Sequence, residues 1–136
     1  MNIRKSISKL GAPALLIAII AINANAASFS DVYLPIGGLE RSLVTATKTG
    51  DSNPKVKVTT IKKGDGKSSS YSKIKCFVVY GVATEASEHI TVTKDTSTTL
   101  KIEKASHRKK GSKLTLKGYG NNPILDCQVS GTFTPN

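Results

Sequence analysis

Across residues 27–136 the apolar residues alternate with polar ones, and no stretch sustains a 3.6-residue apolar period. A period of two puts successive side chains on opposite faces of an extended chain. Such a sequence buries one face of a strand and leaves the other in water. The pattern predicts strands over Val32–Ile36, Ser42–Thr49, Lys55–Ile61, Lys73–Val82, Glu88–Thr93, Thr99–Glu103, Ser112–Gly118 and Leu125–Thr134. Turn signals separate them: Gly37-Gly38, Asp51-Ser52-Asn53-Pro54, Gly64-Asp65-Gly66, Asp95-Thr96-Ser97, Lys110-Gly111 and Gly120-Asn121-Asn122-Pro123. The expected fold is all-β: a small antiparallel sandwich or barrel of 7–8 short strands. One helical turn is expected around Thr84–Glu88. Lys62–Ser72 reads as an exposed loop.

Two strands carry the strongest pattern. Lys73–Val82 sets Ile74, Cys76, Val78 and Tyr80 on one face and Phe77 and Val79 on the other, as a central strand would. Leu125–Thr134 sets Leu125, Cys127, Val129, Gly131 and Phe133 on one face. Each cysteine is in phase with its strand's apolar set, so both point inward. The expectation is one inter-strand disulfide, Cys76–Cys127. Their spacing invites comparison with immunoglobulin-like sandwiches. The chain has no Trp, and Leu125 stands two residues before the second Cys, so the expectation is a generic sandwich.

The N-terminus bears on where such a pair would be oxidised. Arg4, Lys5 and Lys9 precede an apolar run from Gly11 to Ile22, and Ala24-Asn25-Ala26 has small-x-small character. That is the layout of a cleaved secretory signal peptide over residues 1–26, with residues 27–136 as one mature domain. The 12-residue apolar run is too short to span a bilayer, so the mature form is expected to have no transmembrane segment and to be secreted or periplasmic.

Charge is the next constraint. Residues 27–136 hold 17 Lys and Arg against 9 acids. Residues 55–75 contain seven lysines and one acid, Asp65. Residues 104–117 contain Lys104, Arg108, Lys109, Lys110, Lys113 and Lys117 and no acid. Gly111 and the flanking strands predict that this second cluster, with His107, is a hairpin tip. Cations at such spacing raise the local potential and attract polyanions. The candidate polyanion-binding residues are Lys104, His107, Arg108, Lys109, Lys110, Lys113 and Lys117. Lys48, Lys94 and Lys101 lie outside both segments and provide a matched charge control.

Catalytic signatures are absent from the sequence. There is no G-x-S-x-G, no H-E-x-x-H and no P-loop. The Cys and His residues do not cluster, so no metal site and no cofactor are expected. Two histidines and a lysine can cleave RNA by acid–base catalysis, but no sequence feature brings His89 and His107 together. Only Tyr71 and Tyr119 lie near the basic segments, which argues against specific nucleic-acid binding. The reading is an exported, non-catalytic binding module with a basic surface, docking on an anionic cell-envelope or extracellular polymer or on a protein partner. The alternative is a secreted antagonistic effector: an antibacterial toxin or an inhibitor of a foreign enzyme.

Overall fold

A computed structural model describes residues 26–136; apart from Ala26, the expected signal peptide lies outside the described residues. The strands are β1 (Ala27–Leu34), β2 (Arg41–Thr47), β3 (Lys55–Lys63), β4 (Lys73–Tyr80), β5 (Thr84–Glu85), β6 (Ile90–Thr93), β7 (Thr98–Thr99), β8 (Lys113–Gly120) and β9 (Cys127–Thr134). They form two antiparallel sheets. The first has the order β1-β9-β3-β7; the second has β2-β8-β4-β5, with β6 also paired to β4. The all-β, antiparallel expectation holds, and of the sandwich and the barrel the two sheets favour the sandwich. The helical turn expected at Thr84–Glu88 does not form. Gly81 turns the chain at φ 66°, and Thr84 and Glu85 pair back onto Tyr80 and Val79. The described 3-10 turn is at Ala105–His107.

The strands form where alternation is strictest. In β8 and β9 every second residue is buried, and the outward set is Lys, Thr, Tyr, Gln and Ser. Leu114, Leu116, Val129 and Phe133 meet Leu34, Val56, Val58, Ile74, Val78 and Val92 in the core between the sheets. Removing such side chains from water drives the two layers together. β4 is covered on both faces, as a central strand should be. Its inward residues are Ile74, Cys76 and Val78, and its outward Phe77 and Val79 are buried too.

Gly131 has a specific role at the middle of the first sheet. A Cβ there would lie 2.2 Å from the Lys57 carbonyl oxygen and 2.8 Å from the Phe29 ring. Both neighbours of β9 shift register beside this residue, between Phe29 and Val32 and between Val58 and Thr60. The missing side chain is the space that Phe29 fills. The open edge of β3 is partly covered: Asp95 N donates to Val58 O at 2.7 Å, and Ser69 Oγ donates to Ile61 O at 2.7 Å. Covering unpaired carbonyls this way discourages edge-to-edge pairing.

The disulfide expectation is overturned. Cys76 and Cys127 are both buried, and both are free thiols. Alternation placed both on inward faces, as expected, but it carries no information on position across a face. Cys76 lies on β4 of the second sheet, in register with Gly118 and Ile90. Cys127 is the first residue of β9 in the first sheet, in register with Leu34 and Lys63. Each thiol is packed into the core as a small apolar group. Burial pushes the Cys76 thiol up to about 12 and the Cys127 thiol up to about 11, the nearby Asp126 adding to the latter.

The strand directions give the sandwich two poles. The turns 48–54 and 81–83, the segment 100–112 and residues 135–136 gather at one pole. The loops 35–40, 64–72 and 121–126 gather at the other.

Candidate functional site

The basic segment 104–113 lies at the first pole, but it is not a hairpin tip. β7 pairs with β3 in the first sheet, and β8 pairs with β2 and β4 in the second. Residues 100–112 therefore cross from one sheet to the other. The expected strand Thr99–Glu103 shrinks to the end of β7 and one isolated bridge, Ile102 with Ser87. The physical reason is that Leu100 and Ile102 are both fully buried and plug the core at this pole instead of forming a ladder. Their main chain is held from the turn before β3: Leu100 N donates to Pro54 O at 2.9 Å, and Ile102 N donates to Asn53 Oδ1 at 3.0 Å.

The crossover is pinned at its far end. Lys48 N donates to Ser112 O and Gly111 N donates to Lys48 O, both at 2.9 Å, extending the β2–β8 ladder by one step. Lys110 N donates to Asp51 Oδ1 at 2.6 Å. A carboxylate from another loop thus enters a stretch whose own sequence has none. It accepts from the main chain and leaves the Lys110 side chain exposed.

Of the seven residues expected to form the site, the crossover and the base of β8 bring six together at this pole. Lys104, Lys109, Lys110 and Lys113 are exposed and form no ion pair among the described residues. Arg108 is half-buried, and its guanidinium donates to Ile102 O at 3.2 Å, so it braces the crossover. The His107 ring stacks on Tyr80 at 4.1 Å. Lys117 stands apart, on the outer face of the second sheet beside Phe77, with Nζ 4.0 Å from Glu40 Oε1. The first basic segment is divided as well. Lys55 and Lys57 are on the first sheet, and Lys73 and Lys75 are on the second.

Lys48 is no surface cation. It is 1% exposed, and its ammonium donates to Ser52 O, to Pro135 O at 2.7 Å and to Asn136 O at 2.5 Å. Three N–H groups meet three carbonyls, which is what allows a charge to sit inside. Desolvation still lowers its pKa.

A second cluster lay beyond sequence reasoning. His89 stacks on the buried ring of Phe77 at 3.9 Å, on the outer face of the second sheet. Its Nδ1 is 2.9 Å from Tyr119 Oη, and its Nε2 is 3.0 Å from Glu85 Oε1. His89 and His107 both line a groove of about 380 Å³, with Lys104 and the carboxylates Glu85, Glu88 and Glu103. The four-residue step from Glu85 to His89 is the only trace of this cluster in the sequence. The groove suits a phosphodiester poorly: three carboxylates border it, and both His89 nitrogens are committed. Among the described residues no group of His, Cys, Asp and Glu has the geometry to hold a metal ion.

The sequence matches no protein-family model and no curated protein. Among solved structures, the chain resembles one titled "Structure of infectious bursal disease virus Gx strain", with 12% identity and a TM-score of 0.38. The match covers 91% of this chain and 35% of that one, so this chain spans about a third of its length.

Proposed function

We propose that this chain is an exported, non-catalytic binding module that docks on anionic cell-envelope or extracellular polymers through its basic pole. One observation carries the reading. The fold gathers Lys104, Lys109, Lys110 and Lys113 at one end, exposed and without ion pairs among the described residues, on a crossover pinned at Ile102, Asp51 and Lys48. A fixed loop presents its charges at constant spacing, so the attraction is concentrated rather than spread over a mobile tail. Such binding weakens with salt, because exposed charges are screened within about 10 Å at 0.1 M ionic strength.

The test compares two triple variants. Lys104→Ser/Lys109→Ser/Lys110→Ser changes only exposed side chains at the pole. Lys57→Ser/Lys75→Ser/Lys94→Ser removes equal charge elsewhere, avoiding the buried Lys48 and Lys101, which lies on the crossover itself. Retention of isolated cell envelopes or a soluble polyanion should drop in the first variant and hold in the second. Equal losses in both would reduce the effect to net charge and end the proposal.

A further inference from the structure

The pole opposite the basic crossover is apolar. Ile36 (56% exposed) and Leu39 (56%) project from the β1–β2 loop, and Ile124 (72%) and Leu125 (36%) from the β8–β9 loop. The two loops are joined: Gly37 N donates to Pro123 O at 2.6 Å. Gly37 and Gly38 have φ of 96° and 69°, and no heavy atom lies within 4 Å of where their Cβ atoms would be, so the loop tip stands clear of the domain. Scattered exposed apolar residues are ordinary. Four aliphatic side chains on two tied loops at one end of a domain form a contact surface.

The charges around this tip are arranged by sign. Arg41, Lys63, Lys67 and Lys73 are exposed at the same pole and form no ion pair among the described residues. The two acids next to the tips are turned back. Glu40 faces Lys117 Nζ at 4.0 Å, and Asp126 accepts the Tyr33 hydroxyl at 2.7 Å. Asp31 is paired with Lys62, and Asp65 accepts the main-chain N–H of Lys67. Tyr33, half-exposed with its hydroxyl held, stands at the level between the apolar tip and the polar body.

We propose that this pole docks on a lipid bilayer carrying anionic headgroups. Ile36, Leu39, Ile124 and Leu125 enter the acyl boundary while Arg41, Lys63, Lys67 and Lys73 meet the headgroups. Apolar side chains at the tip and unpaired cations around them are the two terms that together hold a peripheral protein on such a surface. A protein partner would need its own acidic rim around an apolar socket; an anionic membrane offers both everywhere. This surface is separate from the basic crossover, and the two proposals stand or fall independently.

The chain has no Trp, so a single Trp reports its own surroundings. Ile36→Trp places the probe at the apolar tip, and Val82→Trp places it at the opposite pole, where Val82 is 98% exposed. Each exported variant is mixed with phosphatidylcholine vesicles, with or without phosphatidylglycerol. The Ile36→Trp emission should shift to the blue on the anionic vesicles and be quenched by brominated acyl chains, and that of Val82→Trp should do neither. Ile36→Ser/Leu39→Ser/Ile124→Ser should weaken vesicle co-sedimentation at least about tenfold and leave soluble polyanion binding unchanged. A blue shift at Val82→Trp alone would mean that the basic pole does the docking, and would overturn the proposal. So would unaltered co-sedimentation of the triple-Ser variant. Failure of the wild-type chain to bind vesicles would also overturn it, including the case where the same three residues instead hold two copies together in sedimentation equilibrium.

Discussion

The ammonium of Lys48 lies 2.7 Å from the main-chain oxygen of Pro135, joining the residue that follows β2 to the segment that follows β9. It also donates to Ser52 O and Asn136 O, and Lys48's own main chain pairs with Gly111 and Ser112. One residue therefore ties three strand ends and the far end of the basic crossover at a single pole.

Replacing Lys48 with Met keeps the length of the side chain and removes all three donors. The carbonyls of Ser52, Pro135 and Asn136 then lose a partner, that of Pro135 in a buried site. The expected cost is about 3 kcal/mol, read from the urea midpoint. An unchanged midpoint would show that the ammonium does not hold this pole together.

Cys76 and Cys127 should both be alkylated when the exported protein is unfolded without reductant, adding two labels to its mass. In the folded protein the same reagent should react slowly, because burial holds both groups as thiols and only the thiolate attacks. Cys76→Ala removes one buried sulfur and should cost about 1–2 kcal/mol, the size of a small cavity.

The same burial predicts a loss of stability in alkali. Below pH 9.0, the ordinary thiol value, Cys76 is protonated whether the chain is folded or unfolded. Above it, the unfolded chain releases a proton that the folded one retains up to about 12. The raised pKa therefore contributes stability that is complete below pH 9 and is lost as pH rises towards 12. The slope is at most about 1.4 kcal/mol per pH unit for each thiol. Urea midpoints at successive alkaline pH values should fall more steeply for the parent than for Cys76→Ala, a comparison that cancels the opposing effect of Lys48. Parallel slopes would refute the assignment.

Gly131→Ala should be among the most damaging single changes. Its Cβ would meet the Lys57 carbonyl oxygen and the Phe29 ring in the middle of the first sheet. Backbone cannot yield as a flexible side chain does, so a cost of about 3 kcal/mol or more is expected from overpacking alone. Phe29→Ala should relieve the ring contact but not the carbonyl contact. Gly131→Ala should therefore cost less in a Phe29→Ala background than in the parent, but should still cost stability there, as a double-mutant cycle of urea titrations would show.

The sequence by itself determined the class of fold, the approximate position of the long strands and the face each residue takes. Strand residues alternate with a period of two, and that period is local. It placed Ile74, Cys76 and Val78 inward on β4, and Leu114 and Leu116 inward on β8, where the structure has them. Phase does not say which strand lies opposite which, and the tertiary structure alone decided the rest. The inward phase of Cys76 and Cys127 was legible, but the absence of a bond between them was not, because phase does not fix where on its sheet's inner face each thiol lies. The basic cluster was legible as charge, but its form as a crossover was set by the burial of Leu100 and Ile102 and by Asp51 reaching in from a distant loop. Lys48 reads as one more cation until Ser52, Pro135 and Asn136 surround it. The apolar pole was invisible for the same reason: Ile36 and Ile124 are 88 positions apart in sequence, and only the closing of the sandwich puts their loops side by side.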